Sequence, residues 1–205
     1  MIYTKRMSKI YSTQANRLII NKSSSKEGIN KFKKPSERLD EVLVYAQKEN
    51  IALKRKKSPE LLRKDIEIIM NLRKIMKPLE PDTFLKNYLG NDKLKIVPIE
   101  SSAKREGTAV HIINNNHKEM YTDKKKLATI TTNLEDQEVL ALGVIKEENQ
   151  KDRFIYAIKL DEQHSTIMIL DKTENDLELV TAFAPTNTKA QKILEKCCII
   201  FNNLV

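Results

Sequence analysis

The sequence predicts an α+β fold in which a helical N-terminal region precedes a helix, a four-stranded antiparallel β-meander and a C-terminal helix. Two observations predict it. Apolar residues recur at helical spacing between residues 36 and 89, and four short apolar runs with short polar connections follow between residues 138 and 184. The 205 residues are enough for one domain of ordinary size and an extension.

Positive charge is concentrated in the N-terminal part of the chain. Residues 1–80 carry 20 Lys and Arg against 9 Asp and Glu, a net of +11, whereas residues 81–205 carry 17 against 19, a net of −2. Such asymmetry predicts a segment that meets an anionic partner beside a nearly neutral domain. We therefore divide the chain into a flexible basic arm (1–35), a basic helical region (36–96) and an α+β domain (97–205).

The helical region contains three predicted helices. The first begins with Ser36 as N-cap and carries an apolar stripe. The second begins at Ser58-Pro59, because proline suits the first helical position, and runs to about Lys77. The third runs from Asp82 to Leu89 and ends at Gly90. The stripes of the first two helices are Leu39, Val42, Leu43 and Ala46, and Leu62, Ile66, Ile69 and Met70, followed by Arg73.

The second half of the chain predicts the sheet and the helices around it. A helix from Thr108 to Tyr121 turns Val110, Ile113 and Met120 toward a core. Connections of a few polar residues between the apolar runs suit antiparallel hairpins. A last helix packs Ala190, Ile193, Leu194 and Cys197 along one stripe. The predicted strands are Glu138–Lys146, Arg153–Leu160, Ser165–Leu170 and Leu177–Ala184, and the last helix is Asn187–Asn202.

Several function classes are disfavoured by composition. No apolar run approaches the roughly 18 residues of a membrane span, and no apolar core of a secretory signal is present near the N-terminus. The adjacent Cys197 and Cys198 cannot staple distant parts of a fold, form a poor zinc site and suit a reducing cytoplasm. Four glycines disfavour a nucleotide-binding fold. We expect no cofactor, no metal and no integral membrane association.

Three segments carry a resemblance to a known group of proteins: HIINNNH in a helix, DRFIYAIKL in a strand and LVTAFAPT in the last strand. Between Val97 and Leu194 the chain resembles the phage-associated nucleases grouped with barnase, EndoU, colicin D and RelE. The resemblance implies one or two helices on one face of an antiparallel sheet and a metal-independent RNA cleavage site on the other side of the sheet or along its edge. The site residues that it implies are His111, His117, Arg153, Tyr156 and Thr181.

RNA cleavage without a metal needs a base for the 2′-OH, an acid for the departing 5′ oxygen, and donors or a cation for the phosphorane. An imidazole can take either proton-transfer role near neutral pH. His111 and His117 lie about 240° apart around one helix, so a single helix cannot aim both at one phosphate unless it ends near Asn115. A packed, hydrogen-bonded histidine is the competing interpretation for each of them. His164 falls in a predicted hairpin turn.

The other candidates also have structural interpretations. Arg153 and Lys159 share one strand face, where Arg153 either holds phosphate through its planar fork or fringes a solvated sheet. Tyr156 falls among apolar residues on the other face, which favours core packing with a satisfied hydroxyl. Thr181 alternates with Leu179 and Phe183, which favours a buried threonine; only the resemblance makes it a phosphate donor.

The predicted function is a ribonuclease-like toxin or effector that cleaves RNA, with tRNA among its targets, to a 2′,3′-cyclic phosphate. The alternative is a non-catalytic adaptor or nucleic-acid-binding module of the same fold, which the net charge of −2 modestly favours. Lys31–Lys34 and Lys54–Lys57 fit a phosphate backbone, an anionic membrane surface or a solvated helix. The basic helices are also where we expect a neutralising or delivery protein, and the expected location is the cytoplasm, reached in a target or host cell by a route other than Sec.

Overall fold

The computed structural model describes residues 35–52, 58–146 and 151–204, apart from the side chains of residues 35–38. The predicted arm and the basic stretches Lys31–Lys34 and Lys54–Lys57 therefore lie outside the described residues. None of the described helices combines the length and apolar character needed to cross a membrane. The helices are α1 (Pro35–Lys48), α2 (Pro59–Ile75), α3 (Thr83–Leu89), α4 (Thr108–Asn114), α5 (Glu119–Thr122), α6 (Lys124–Thr129) and α7 (Asn187–Leu194), with a 3₁₀ turn at Leu134–Asp136.

Side-chain caps mark the starts of α2 and α3. The Ser58 hydroxyl accepts a hydrogen bond from the Leu61 amide at the start of α2, and the Asp82 carboxylate accepts one from the Leu85 amide at the start of α3. Gly90 ends α3 in the left-handed conformation, with φ of 62°, as glycine does after a helix. The helices predicted in this region are confirmed with boundaries within two residues of those expected, but Ser36, predicted as an N-cap, lies inside α1, which begins at Pro35.

A six-stranded mixed sheet forms the centre of the molecule. Its strands are β1 (Ile96–Pro98), β2 (Val139–Ile145), β3 (Arg153–Lys159), β4 (Ser165–Lys172), β5 (Leu177–Phe183) and β6 (Cys198–Asn202). Their order across the sheet is β1-β5-β4-β3-β2-β6. Strand β1 is parallel to β5, and the other neighbours are antiparallel. The α+β class is confirmed. The predicted four-stranded antiparallel meander is only part of the sheet, which has six strands and one parallel pair.

Helices cover both faces of the sheet. On one face, side chains such as Phe154, Tyr156 and Leu179 join the apolar stripes of α1 and α2 in one buried cluster. On the other face, Ala190 and Leu194 of α7 pack on Ile155, Ala157 and Ile167 in a smaller cluster. The larger cluster is continuous from Val42 in α1 to Ala182 in β5, so the helical region and the sheet share one core.

The C-terminal helix predicted for Asn187–Asn202 was wrong in its second half. Helix α7 ends at Leu194, and Cys198–Asn202 forms the edge strand β6 on β2. The segment Cys198–Phe201 contains two isoleucines and a phenylalanine, whose branched and aromatic side chains suit a half-buried strand. Tertiary pairing decided between the two structures, because the backbone groups of β2 at this edge need partners.

The helix predicted for Thr108–Tyr121 is divided into two by a turn. Helix α4 ends at Asn114, and Asn116 adopts a left-handed conformation with φ of 65° before α5 begins. Val110, Ile113 and Met120 are nevertheless buried, as predicted. The turn contains three consecutive asparagines, a residue type that tolerates the left-handed region and is frequent in turns.

Candidate functional site

The turn between α4 and α5 is a Schellman motif that positions two histidines. The amide of His117 donates to the Ile112 carbonyl at 2.9 Å, and the amide of Asn116 donates to the Ile113 carbonyl at 3.3 Å. This pattern folds the chain back after α4, so that His117 is no longer separated from His111 by the helical rotation between them. The helix therefore ends before His117, which was the condition for the two imidazoles to serve one site.

His111 is held by a carboxylate. Its Nδ1 lies 2.9 Å from Oε2 of Glu106, and because a carboxylate accepts, Nδ1 is the donor. The other oxygen of Glu106 accepts a hydrogen bond from the Asn114 side chain, which also donates to the Ala52 carbonyl at 2.7 Å. The imidazole is therefore oriented with Nε2 pointing away from Glu106, and its side chain remains 31% exposed.

His117 has a more buried environment. Its ring stacks on Phe183 of β5 with centroids 4.9 Å apart and 22° between the planes. Burial lowers the pKa of His117 below its ordinary value of 6.5; Glu119, whose Oε1 lies 3.7 Å from Nδ1, opposes the shift, and the charge of His111 adds to it. The neutral imidazole is thus the favoured form near pH 7, and His111 is close enough to influence it.

The two imidazoles are the candidate acid–base groups of the described chain. Within the described ranges, no hydrogen-bonding partner contacts Nε2 of His111 or of His117. One ring, that of His111, is oriented by the carboxylate of Glu106. The other favours its neutral form and can accept a proton. Both groups needed for moving a proton on and off a substrate are therefore present on one short segment.

Arg153 lies away from the two histidines. Its Nε and Nη2 donate to the two carboxylate oxygens of Asp171 at 2.7 and 3.0 Å, a bidentate pair across β3 and β4. Along β4, Asp171 is four residues from Ile167, the partner of Phe183, or about 13 Å at the usual strand rise. The structure does not bring Arg153 to the histidines. Lys159, predicted on the same face, pairs with Glu138.

Tyr156 faces the helical layer, on the opposite side of the sheet from Arg153. It is fully buried, and its hydroxyl donates to Oδ1 of Asp82 at 3.3 Å. Burial, reinforced by the Asp82 carboxylate, raises the pKa of Tyr156 far above its ordinary value. The core interpretation of this residue is confirmed, and its assignment as a catalytic residue is not supported by its location, because no substrate can reach the phenol.

Thr181 was predicted on the same face as Leu179, and the structure separates them. A bulge in the β4–β5 ladder pairs Leu179 with Leu170 but Thr181 with Ile169. Thr181 consequently faces the α7 side, as Phe183 does, while Leu179 faces the helical layer. Its hydroxyl is buried and, among the described residues, has no hydrogen-bond partner. It lies two residues from the phenylalanine under His117 but is not open to a substrate.

Three residues of this region were not identified from the sequence. Glu106 precedes α4 in a loop, where nothing in the local pattern distinguishes it from a solvated glutamate. The sequence pattern around Phe183 indicates only an ordinary strand residue. Asp65 did leave a signal, because it stands on the apolar stripe of α2, three residues after Leu62 and four before Ile69. It is fully buried and pairs with Lys118, the neighbour of His117.

The candidate site consists of the two histidines and the side chains that contact them. Within residues 35–52, 58–146 and 151–204, no three His, Cys, Asp or Glu side chains form a group suited to a metal ion. The resemblance to the nuclease group remains an expectation from the three quoted motifs. No family model matches the chain, and no curated protein or solved structure matches it either.

Proposed function

We propose that this chain is a metal-independent endoribonuclease whose catalytic residues are His111 and His117. The observation that carries the proposal is the Asn116 turn, which separates a carboxylate-oriented imidazole from a half-buried imidazole that favours its neutral form. Two imidazoles in these different environments match the requirement for one acid and one base. The basic N-terminal part, with its net charge of +11, supports RNA as the substrate class.

The proton transfers follow from the two environments. His117, neutral because burial lowers its pKa, takes the proton of the 2′-OH on Nε2. The 2′ oxygen then forms a bond to phosphorus as the bond from phosphorus to the 5′ oxygen breaks. His111, oriented by Glu106, acts in its protonated form and gives its Nε2 proton to the departing 5′ oxygen. The products are a 2′,3′-cyclic phosphate and a free 5′-OH.

The test is incubation of the purified chain with total RNA and with a tRNA pool in EDTA, followed by analysis of the fragment ends. We expect 2′,3′-cyclic phosphate ends. We expect His111→Ala and His117→Ala each to lower the cleavage rate by roughly 10²–10⁴-fold, the usual contribution of a general acid or base. His164→Ala is the matched control, because His164 lies in the β3–β4 turn against Asp161.

Each outcome of this assay has a defined meaning. Cleavage that survives in both the His111 and His117 variants would assign the activity to a contaminating nuclease and remove the proposal. Intact RNA at high protein concentration would also remove it. Equal loss in the His164 variant would indicate general destabilisation and would argue against a specific role for the α4–α5 turn.

A second candidate function is a non-catalytic adaptor that binds a partner through its helical region. The observation in its favour is the distribution of exposed large apolar side chains. Six of the seven found in the described part of the chain lie on α1, α2 and α3, and only Ile199 lies elsewhere. The six are Val44, Tyr45, Leu61, Ile75, Phe84 and Tyr88. Apolar surface of this kind is typical of interaction sites.

The two functions are separable by one comparison. An adaptor that binds RNA would retain a fluorescently labelled RNA without cutting it, and His111→Ala would leave its affinity unchanged. Replacement of Phe84 and Tyr88 by serine would weaken binding to a protein partner but leave a ribonuclease active. Cleavage that depends on the histidines in the Phe84→Ser, Tyr88→Ser variant would therefore favour the enzyme.

A further inference from the structure

An ion pair with a fully buried carboxylate joins α2 to the start of α5. Oδ1 of Asp65 lies 2.6 Å from Nζ of Lys118. The Asp65 side chain is completely buried, whereas that of Lys118 is 39% exposed. Asp65 occupies the apolar stripe of α2 between Leu62 and Ile69, where a leucine would pack without any desolvation penalty. Retaining a carboxylate there opposes stability, so its contact with Lys118 calls for a functional explanation.

Lys118 is well placed to transmit this contact. It follows His117 directly, and its carbonyl accepts the amides of Tyr121 and Thr122, so it begins α5. A second link, from the Asn71 side chain to the Tyr121 hydroxyl at 3.3 Å, ties α2 to the same element. The amide of His117 is fixed on the other side by Ile112. Moving Lys118 therefore moves the residue that carries the imidazole.

We propose that Asp65 is a positioning residue that acts through Lys118 to hold the His117 imidazole on Phe183 and beside His111. Asp65 touches no substrate in this arrangement. It sets the point at which the chain leaves the Asn116 turn. The inference rests on the proposed function for its catalytic consequence, but the placement of the His117 ring can be measured without any activity.

The test replaces the pair as a whole by apolar residues, in the variant Asp65→Leu, Lys118→Met. The double substitution keeps the net charge and leaves no buried carboxylate without a cation. We expect kcat for RNA cleavage to fall about 100-fold with KM unchanged, because a displacement of about 1 Å in a catalytic group has that effect. The matched control is Glu138→Leu, Lys159→Met, which removes an exposed ion pair on β3.

Histidine titration followed by NMR supplies the readout that is independent of catalysis. In the wild-type chain the pKa of His117 lies below its ordinary value because the ring is buried. If the pair positions the ring, the apolar variant will release it from Phe183 and its pKa will rise toward the ordinary value. The single variant Lys118→Arg keeps a cation beside Asp65. It should therefore retain both the wild-type kcat and the low pKa of His117.

The outcomes separate this inference from the proposed function. Wild-type kcat and an unchanged His117 pKa in the apolar variant would show that the pair is only structural and would overturn the inference. If even the wild-type chain cleaves no RNA, the ribonuclease proposal fails, and the titration alone decides whether Asp65 positions the ring. Should the apolar variant not fold, Asp65→Asn, Lys118→Gln keeps both side chains at similar size and gives the same two readouts.

Discussion

Burial against Phe183 makes His117 a residue whose charge opposes the folded state. Its pKa is lowered on folding, so below about pH 6.5 the unfolded chain binds a proton that the folded chain resists. The contribution to stability is therefore complete above the unfolded pKa and is lost as the pH falls through the folded pKa. Two groups that face the ring have smaller effects on its pKa. Glu119 raises it, and His111 lowers it further.

We predict that the free energy of unfolding of the wild-type chain decreases more steeply between about pH 7.5 and about pH 5 than that of His117→Gln. Urea denaturation at the two pH values measures the difference. His164→Gln is the control, since His164 is an exposed turn residue, and it should keep the steep dependence. Identical slopes for wild type and His117→Gln would contradict the burial of a neutral ring.

Tyr156 shows how a residue that looks catalytic can be purely structural. Its hydroxyl and the Leu85 amide share the Asp82 carboxylate, so the tyrosine links β3 to the N-cap of α3. We predict that Tyr156→Phe lowers the free energy of unfolding by about 1 kcal/mol, the usual effect of one lost hydrogen bond, and leaves RNA cleavage unchanged. Thermal denaturation and the cleavage assay check both parts. Tyr88→Phe, at an exposed position, should change neither.

The α4–α5 turn is the element on which the candidate site depends. Asn116 has a positive φ of 65°, a conformation that asparagine and glycine tolerate and that a β-branched residue resists. The His117 amide bond to Ile112 exists only while this conformation is kept. The conformation of Asn116 therefore sets how the chain leaves α4 and where the backbone of His117 lies.

We predict that Asn116→Val lowers stability by about 1–2 kcal/mol and abolishes cleavage, whereas Asn116→Gly keeps both near wild type. Asn50→Val is a matched control, because Asn50 also has a positive φ, of 52°, but lies between α1 and α2. It should cost similar stability and leave cleavage intact. Urea midpoints and cleavage rates of the three variants distinguish a local strain effect from a site effect.

At the scale of the molecule, one buried cluster unites the helical region with the sheet. The cluster includes Leu62, Ile69 and Leu72 of α2 together with Phe154 and Met168 of the central strands. Strand β1, at Ile96–Pro98, lies across the boundary that the sequence predicted between 96 and 97. A fragment that begins at residue 97 would expose the sheet face that α1, α2 and α3 cover.

We predict that residues 97–205 expressed alone do not unfold cooperatively, because the apolar face of their sheet has lost its partner. Residues 35–205 should unfold in one transition with the stability of the full chain. Calorimetry and the dispersion of amide NMR signals report the difference. A well-dispersed spectrum for the shorter fragment would instead support an independent α+β domain.

The sequence determined what depends on neighbours along the chain. The stripes of α1 and α2, the helix start at Ser58-Pro59 and the alternation that buries Tyr156 could all be predicted, because helical and strand periodicities are local properties. The two candidate histidines were also visible in the sequence. The sequence did not show whether the two histidines could act together, because that depended on where one helix ended.

Tertiary structure decided the rest for a different reason. Strands β1 and β6 exist because partners far away in the sequence complete their hydrogen bonds, and the bulge that turns Thr181 away from Leu179 belongs to a ladder between two strands. The sequence predicted that Arg153 either holds phosphate or fringes a solvated sheet, and its pairing with Asp171 depends on the register of β3 and β4. The candidate site formed only when the Asn116 turn, Glu106 and Phe183 came together, because long-range contacts cannot be read from periodicity.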